Sequence, residues 1–496
     1  MTEMAYMIDK PLDAAAIAAV AEGAPLALGT AARGRIAAAR DIVTAIVARG
    51  VPAYGVNTGV GALCDTAVDA DHLRQLSRNL IMSHACGVGP ALPDAEVRAI
   101  IAAQINNLSH GHSGVRLALV EALVALLDHD IVPEVPEGGS VGYLTHMAHI
   151  GLVLIGEGRA RVAGRTLPGA EALAVAGLTP LVLEAKEGLS LINGAPCATG
   201  LGCLALARAR RALDAADAIA AFTAEALGVQ TLAFEADVLA LHAAPGIAET
   251  GRRLRARLAG SVRLASGGRL QDALSLRAVP QVHGAVRDAL DRAGAVLDAE
   301  LASVTDNPVV SGTPEYPVVR SEAHAVAAGV AIALDALATA TAHLGLIAER
   351  RLDRLVNPLV SGLPPFLARV PGVTSGFMIA QYTAAALVAE CRRRCAPASL
   401  GGGITSALQE DYLSHPTAAA LDALAVAGHV ETILGIELIA AAAAQDAAVS
   451  PETRAPGTAA IHAQVRARVA PYADDRPMAD LIAAGADLVR AGFPPA

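Results

Sequence analysis

ALDALATATAHLGLIAERRLDRL, residues 333–355, is the stretch that decides the fold class. Its Ala and Leu residues are strong helix formers, and it contains no proline and only one glycine, Gly345. Small apolar residues lie on more than one face of such a helix, so other helices must cover it on several sides. One subunit offers too few covering helices. The stretch therefore predicts bundles that merge across several copies of the chain in a closed, symmetric oligomer.

The same pattern recurs along the rest of the chain. Long Ala- and Leu-rich helical patterns cover about 202–230, 281–304, 324–357, 374–395 and 416–447. Helices of this length pack best side by side, which predicts an all-α, long-helix bundle. We expect an N-terminal helical and loop region over residues 1–200 and a long-helix bundle with a C-terminal helical region over 201–496. A minor hairpin around Arg159 to Thr166 is expected to hold the only short strands.

Composition excludes several functional classes. Hydrophobic residues make up 54% of the chain and aromatic residues 2%, with no Trp, so Ala, Leu, Val and Ile must build the core. A net charge of −10 gives no basic face for nucleic acid. Charged residues such as Asp335 and Glu437 interrupt the apolar stretches, whereas a membrane-spanning helix needs about 20 nearly uncharged residues. We therefore expect no nucleic-acid partner and no membrane insertion.

The start of the chain and its cysteines favour a cytoplasmic location. The start, MTEMAYMIDKPLD, contains acidic residues and no long apolar core, which is not typical of a secretory signal. The six cysteines lack zinc-finger or CxxC spacing, so we expect reduced, mostly buried thiols and no metal site. These features predict a cytoplasmic enzyme that uses no metal.

A series of glycine-rich or polar motifs separates the helical patterns. They are YGVNTGVG at 54–61, SRNLIMSHACGVG at 77–89, GGSVG at 138–142, LINGAPCATG at 191–200, LQDALSLRAVPQVHG at 270–284, VTDNP at 304–308, LPPFL at 363–367, SGFM at 375–378 and SALQED at 406–411. In this order and spacing they resemble the histidine and aromatic amino-acid ammonia-lyase family, over about residues 20 to 480. The resemblance implies a carbon–nitrogen lyase with an all-α, long-helix bundle of the ammonia-lyase/fumarase-like type and a small, loop-rich N-terminal active-site region. It also implies a homotetramer whose active sites are each assembled from loops of three subunits.

The chain departs from the family at the family's cofactor. In the family, GSVG is followed by Ala-Ser-Gly-Asp, and the Ala-Ser-Gly tripeptide cyclises into methylidene-imidazolone, an electrophile that captures the substrate's amine. Here GSVG runs directly into Tyr143, and the segment is three residues shorter. Leu274 replaces a Tyr that serves proton transfer in the family, and the segment around His324 lacks a Phe that lies near the cofactor. The resemblance therefore implies a lyase without this cofactor, and we expect no other.

An alternative is that a modified tripeptide is missing from the sequence as written. The continuous numbering and the substituted neighbours argue against an omission, because one omission would not change Leu274 and the residues around His324 as well. The alternative stays open, and it would make the chain a histidine ammonia-lyase.

The resemblance assigns roles to residues that match the family's motifs. Tyr54 matches the base that removes the β-proton, although a phenol with a pKa of about 10 needs nearby positive charge to act at neutral pH. Arg277 matches the carboxylate clamp, since a guanidinium binds a carboxylate through two parallel hydrogen bonds. Asn193 would add a hydrogen bond at the same end of the substrate, and Gln271 is a weaker substrate-binding candidate. Alternatives are loop packing for Tyr54, and helix capping or an intersubunit ion pair for Asn193 and Arg277.

Two further residues favour an imidazole substrate. In the family, His84 and Glu410 match residues that accompany histidine-type substrates, and a carboxylate near the ring can stabilise charge as the β-proton leaves. The alternatives are a satisfied core histidine and a helix cap. Tyr143, His146 and His324 are unusual for the family. We expect them to rebuild the space that the cofactor would occupy, or only to fill it.

These assignments lead to a reaction. The cofactor turns an amine into a better leaving group, so an enzyme without it needs an amine that is already activated. Ergothionase-type enzymes of the family act on ergothioneine, a trimethylated 2-thiohistidine betaine. We therefore expect cofactor-free β-elimination of trimethylamine from ergothioneine or a related histidine betaine, giving a (thio)urocanate. The alternatives are a histidine ammonia-lyase, which releases ammonia from histidine, and an inactive ligand-binding homologue.

Overall fold

The structure is a computed structural model that describes residues 5–266 and 270–494, and long helices dominate it. Its α-helices are α1 (Ala14–Ala21), α2 (Thr30–Arg49), α3 (Leu73–His84), α4 (Asp94–Ser109), α5 (Leu117–Asp128), α6 (Thr145–Leu154), α7 (Gly169–Val175), α8 (Glu187–Ile192), α9 (Pro196–Leu227), α10 (Ala236–Leu239), α11 (Pro245–Leu258), α12 (Leu274–Arg277), α13 (Val279–Leu301), α14 (Ala328–Val356), α15 (Pro358–Ser361), α16 (Met378–Arg394), α17 (Pro416–Ala448), α18 (Pro456–Arg466) and α19 (Met478–Ala491). The five long patterns of the sequence correspond to α9, α13, α14, α16 and α17. The all-α prediction is confirmed.

Short strands occur in the connections between helices. They are β1 (Tyr6–Ile8), β2 (Leu26–Leu28), β3 (Val88–Ala91), β4 (Val132–Pro133), β5 (Pro136–Gly138), β6 (Arg159–Val162), β7 (Arg165–Pro168), β8 (Val309–Gly312) and β9 (Pro317–Arg320). The expected hairpin is β6–β7, in which Arg159 pairs with Pro168. The expectation that it holds the only short strands was wrong. Strands of two to four residues are too short for a recognisable alternation of apolar and polar residues.

The chain forms two compact units, each built from three segments. The first unit comprises Met1–Ala207, Gly294–Asp335 and Pro397–Leu421, and the second comprises Arg208–Ala293, Ala336–Ala396 and Asp422–Ala496. Four of the five boundaries fall within α9, α13, α14 and α17, so each of these helices contributes to both units. The division of the chain near residue 200 stays a prediction.

In the first unit, α3, α6 and α8 pack against one another. Gly151 of α6 allows this close approach, because a Cβ at that position would lie 2.9 Å from Ile81 and 3.0 Å from Leu191. Each of the three helices has one end next to a predicted site residue. His84 ends α3, α6 begins just after Tyr143, and α8 ends immediately before Asn193.

In the second unit, a buried ion network joins the long helices. Arg351 of α14 donates two hydrogen bonds to Glu437 of α17, at 2.7 and 2.8 Å, and both side chains are fully buried. Thr223 of α9 also donates to Glu437, at 2.8 Å. Buried charges are tolerated only when they are paired and hydrogen-bonded, so this network fixes how these helix segments pack within the unit.

Within residues 5–266 and 270–494, three helical stretches are long and apolar enough to cross a membrane by length and composition alone. In the most apolar window of Glu187–Leu227, every residue is buried inside the chain, and 78% are buried in that of Pro416–Ala448. Only 50% are buried in the window of His324–Val356. The first two stretches are thus apolar because they are buried in the core. By contrast, α14 leaves an apolar face uncovered. That face fits the expected homotetramer, which itself stays a prediction.

Candidate active site

The first unit contains an open cavity of about 930 Å³, lined by the loop after α2, by Tyr143, by the segments that precede β8 and follow β9, and by the loop that precedes α17. Its described lining residues include four carboxylates and three tyrosines, but no Lys, Arg or His. The carboxylates are Asp65, Glu322, Glu410 and Asp411, and the tyrosines are Tyr54, Tyr143 and Tyr412. This wall is negatively charged and rich in aromatic faces, so it suits a cation.

Tyr54 lies in a loop that is held together by hydrogen bonds of its own Asn57 side chain. The Asn57 side chain accepts a hydrogen bond from the Ala53 N–H at 2.7 Å and donates to the Val51 carbonyl at 3.0 Å. Gly55 has a φ of +66°, and a Cβ there would lie 2.5 Å from Leu189. The loop predicted from its glycines is therefore present, and glycine at position 55 meets both a conformational and a steric requirement.

The environment of the Tyr54 phenol disfavours its ionisation. Its oxygen accepts a hydrogen bond from the Gly61 N–H at 3.4 Å, which stabilises the phenolate. Burial has the larger effect and raises the pKa of Tyr54, and the nearby charge of Glu410 raises this pKa further. Tyr54 is thus protonated near neutral pH in the unliganded chain and cannot act as a base in that form. A positive charge placed beside it would oppose this shift of the pKa.

Tyr143 and Glu410 meet across the cavity. The Tyr143 hydroxyl donates a hydrogen bond to Oε2 of Glu410 at 2.9 Å. Burial raises the pKa of Tyr143, and its hydrogen bond to the Glu410 carboxylate raises it further. Tyr143 therefore stays a neutral donor. It orients Glu410 and presents its ring to the cavity.

The backbone around Tyr143 is strained. Leu144 has a φ of +75° and a ψ of −71°, and the Thr145 N–H donates to the Tyr143 carbonyl at 3.1 Å. This is a γ-turn of the rare positive-φ form, which side chains other than glycine seldom adopt. Gly142 has a φ of +141°, and a Cβ there would lie 2.6 Å from Pro416. Strain of this kind persists where the surroundings impose it, and it clusters at functional sites.

The residues present do not fit methylidene-imidazolone, the cofactor that the family resemblance implies. Gly142 is joined directly to Tyr143, so the Ala-Ser-Gly tripeptide that would cyclise does not follow GSVG. The tight turn at Leu144 begins at Tyr143 itself, and the Tyr143 side chain extends to Glu410.

Neither Asn193 nor His84 is among the lining residues of the cavity. Asn193 donates from Nδ2 to the carbonyl oxygen of Asn307 at 2.6 Å, and Asn307 lines the cavity. His84 donates from Nδ1 to the Leu80 carbonyl at 2.8 Å, which leaves Nε2 as the acceptor. Burial lowers the pKa of His84, so its imidazole is neutral near pH 7.

The two unusual histidines, His146 and His324, do not line the main cavity. His324 lines a neighbouring cavity of about 510 Å³, and its Nδ1 is 3.0 Å from a carboxylate oxygen of Glu322. Glu322 in turn lines the main cavity. His146 is buried and donates from Nε2 to the Glu137 carbonyl at 3.0 Å, while its Nδ1 has no hydrogen-bond partner among the described residues.

Arg277 and Gln271 belong to the second unit. Arg277 donates from Nε to the Asp272 carbonyl at 3.1 Å. In the amide orientation that satisfies both side chains, the Gln271 oxygen accepts from Nη2 and Nε of Arg277 at 2.9 and 3.2 Å. Gln271 thus holds the guanidinium that the resemblance assigns to the substrate's carboxylate. Their roles in binding stay predictions.

Sequence reasoning missed several polar residues of the cavity. Asp65, Glu322 and Tyr412 line it, as does the thiol of Cys64. None of them stands at a position for which the family resemblance specified a role. The available signal was local: Asp65 follows the Tyr54 loop closely, and Tyr412 follows the SALQED motif directly.

Comparison with known proteins places the chain in a family. Residues 12–467 match the family described as "Aromatic amino acid lyase". The chain is 46% identical to a histidine ammonia-lyase of Symbiobacterium thermophilum, over 96% of this chain and 94% of that protein. Among solved structures, it matches a tyrosine aminomutase of Streptomyces globisporus with a TM-score of 0.93 and 36% identity, covering 99% and 97% of the two chains. It matches the ergothioneine-degrading enzyme ergothionase of Treponema denticola with a TM-score of 0.90 and 28% identity, covering 98% and 99%. The chain therefore belongs to the aromatic amino acid lyase family and is a carbon–nitrogen lyase.

Proposed function

We propose that this lyase eliminates trimethylamine from a histidine betaine, with ergothioneine as the leading substrate, and uses no peptide-derived electrophile. The observation that carries the proposal is the direct link between Gly142 and Tyr143. Without the tripeptide, nothing captures a primary amine and improves it as a leaving group. A trimethylammonium group needs no such help, because it departs as neutral trimethylamine.

The charge of the cavity supports a cationic substrate. A quaternary ammonium group is bound best by aromatic faces combined with nearby negative charge. Tyr54, Tyr143 and Tyr412 offer such faces, and four carboxylates supply the charge. The family resemblance assigns the substrate's own carboxylate to Arg277 and Asn193. Glu410, oriented by Tyr143, would engage the imidazole ring together with His84.

The substrate's cation also supplies what Tyr54 lacks as a base. Its fixed positive charge, placed beside the phenol, would lower a pKa that burial raises in the unliganded chain. The phenolate then takes the β-proton, and the electron pair of that C–H bond forms the Cα=Cβ double bond. The C–N bond breaks, its electron pair leaves with trimethylamine, and the (thio)urocanate carries the new double bond.

A second candidate is histidine ammonia-lyase, and the comparisons favour it over the betaine enzyme. Relatives that are 41% to 46% identical carry the name histidine ammonia-lyase, whereas the ergothionase is 28% identical. That name supports an imidazole substrate with a primary amine. The proposal departs from it because the chain lacks the tripeptide. An inactive ligand-binding homologue is the third possibility.

A product assay separates the three candidates. The purified chain is incubated with L-histidine, with hercynine, which is histidine betaine, and with ergothioneine, and the ultraviolet band of the conjugated acrylate is followed while the released amine is identified. Trimethylamine from either betaine, with histidine inert, is the expected result. Ammonia from histidine would overturn the proposal in favour of the second candidate.

The Tyr54→Phe variant distinguishes an enzyme from a binder. It removes the phenolic oxygen and retains the ring. An enzyme should lose turnover by about 10²- to 10⁴-fold while still binding the betaine, which is the usual contribution of a positioned general base. If no substrate turns over in the unmodified chain, yet the betaine binds equally well to both proteins, the inactive homologue is favoured.

A further inference from the structure

Glu322 is one of the four carboxylates that line the main cavity, and its environment differs from that of the other three. Asp65 and Asp411 are exposed, so water and salt screen their charges. Glu410 accepts a hydrogen bond from Tyr143 and would engage the imidazole ring. The Glu322 side chain is only 16% exposed. It is therefore the carboxylate of this wall whose charge is screened least and has no role of its own so far.

Neighbouring residues hold Glu322 in place. Its N–H donates to Oδ1 of Asn307 at 2.9 Å, and Asn307 also lines the cavity. The Asn307 carbonyl accepts a hydrogen bond from Asn193, the residue that the family resemblance assigns to the substrate's carboxylate. Oε2 of Glu322 accepts a hydrogen bond from the His324 N–H and lies 3.0 Å from Nδ1 of the same residue. Glu322 is thus fixed at the wall and is linked through Asn307 to Asn193.

The other carboxylate oxygen of Glu322, Oε1, lacks compensation. It is buried from solvent and has no hydrogen-bond partner among the described residues. Burial raises the pKa of Glu322 above its usual value, although the hydrogen bond and the charge of His324 oppose the rise, and the buried Asp306 adds to it. The contacts with His324 therefore do not balance this carboxylate in the unliganded chain. A cation in the cavity would stabilise its charged form.

A quaternary ammonium group suits Oε1 better than a hydrogen-bond donor does. This oxygen has almost no surface open to an N–H group or to water. A quaternary nitrogen has no N–H and is held by charge, which acts through space and most strongly where water is excluded. Ala323, Ala325 and Val326 line the cavity close to Glu322, and such small side chains leave room for methyl groups.

We propose that Glu322 is the counter-ion of the substrate's trimethylammonium group and so selects a cationic substrate over an uncharged one. This assignment rests on the proposed function, which supplies the cation. Glu410 and Glu322 then have different tasks, because the first engages the imidazole ring and the second binds the leaving group before it departs.

Calorimetry of the full chain tests this role in a Tyr54→Phe parent, which lacks the base and leaves the ligand intact. The probes are hercynine and imidazolepropionate, which has the ring and the carboxylate but no cation. Glu322→Gln removes the charge, keeps nearly the same shape and still offers an acceptor to the His324 N–H. Thermal melting checks that each variant is folded.

Glu300→Gln is the matched control. Glu300 also has a buried Oε1 without a hydrogen-bond partner among the described residues. It lines the neighbouring cavity, with His324, and does not line the main one. The control therefore removes a similar charge close to the site without changing the wall that would contact the substrate.

We expect hercynine to bind at least about tenfold more weakly to Glu322→Gln than to the parent, and to bind Glu300→Gln within about twofold of the parent. The affinity for imidazolepropionate should not fall in either variant. Unchanged hercynine affinity in folded Glu322→Gln, equal losses for both probes, or an equal loss in Glu300→Gln would overturn the proposal. So would the absence of saturable hercynine binding to the parent.

These outcomes are distinguishable from failure of the proposed reaction. If the product assay finds no trimethylamine, yet Glu322→Gln selectively weakens hercynine binding, the reaction is wrong and the counter-ion stands. If trimethylamine is released, but Glu322→Gln binds hercynine as tightly as the parent does, the reaction stands and the counter-ion is wrong.

Discussion

At the scale of single residues, Tyr54 is expected to set the pH dependence of the rate. A general base works only when deprotonated, so activity should rise with pH through the pKa of the phenol. Burial raises that pKa above its usual value of about 10 in the unliganded chain. The kcat/KM for a betaine, which reports on the free enzyme, should therefore still be rising at about pH 10. The kcat should level off at lower pH, because the bound cation lowers the pKa of the phenol.

Initial rates between about pH 6 and pH 10.5 check this difference. Tyr54→Phe is the control, since it retains the ring and removes the titrating oxygen. If the pH profiles of kcat and kcat/KM have the same midpoint, this would contradict a role for the substrate's charge in activating Tyr54. A rate that falls as pH rises through this range would contradict the phenol as the base.

Tyr143 provides a test of the cation site that does not depend on Tyr54. Tyr143→Leu removes the aromatic face and should raise KM for the betaine by about 2- to 30-fold, the range expected for one cation–π contact. Tyr143→Phe keeps the face and loses only the hydrogen bond to Glu410, so its KM should change less. Steady-state kinetics of the two variants make the comparison. Equal KM values for Phe and Leu would count against binding of the cation by this ring.

Single residues differ in how far the sequence could predict them. Tyr54 and Tyr143 line one cavity, and Glu410 lines it with them, although 267 residues separate Tyr143 from Glu410. Their types and motifs marked them as candidates, but a one-dimensional pattern does not give their hydrogen bond. The raised pKa of Tyr54 likewise could not be predicted from the sequence, because its burial depends on packing against residues that are distant along the chain.

At the scale of elements, the loop that carries Tyr54 is expected to behave as a local unit. Asn57→Ala removes the bonds to the Ala53 N–H and the Val51 carbonyl, and a backbone group left unpaired in a partly buried place costs about 1–3 kcal/mol. Because loops open locally, kcat should fall while the melting temperature of the protein changes little. Asn57→Asp keeps an acceptor for the Ala53 N–H and serves as the matched control.

Enzyme kinetics, thermal melting and limited proteolysis of the loop measure these effects together. Asn57→Ala should be cleaved faster within residues 51–68 than either the unmodified chain or the Asp variant. An unchanged kcat alongside a large fall in melting temperature would show that Asn57 supports the whole unit instead of the loop.

The helices were the most predictable elements. Long Ala- and Leu-rich periodicity specified α9, α13, α14, α16 and α17 within a few residues, because many positions contribute to each pattern. Apart from the predicted β6–β7 hairpin, the short strands could not be recognised in the sequence, because two to four residues carry almost no periodic signal. The γ-turn at Leu144 could not be recognised either, since the surrounding packing imposes a conformation that leucine does not itself favour.

At the scale of the whole molecule, the half-covered apolar face of α14 favours assembly of several chains. The resemblance implies four chains, with each active site made from loops of three of them. Light scattering at micromolar concentration should then give the mass of a tetramer. A stable monomer that retains full turnover would contradict both the assembly and the shared site.

A shared site makes a sharper prediction, because Tyr54 and Arg277 would reach one active site from different chains. Tyr54→Phe and Arg277→Leu should each be nearly inactive alone. When they are unfolded together in equal amounts and refolded, random assembly should leave about a quarter of the sites with both residues intact, and activity should recover to about that fraction. Each variant refolded alone is the control. If both residues of a site come from one chain, no mixed assembly contains an intact site, and the mixture should stay as inactive as its components.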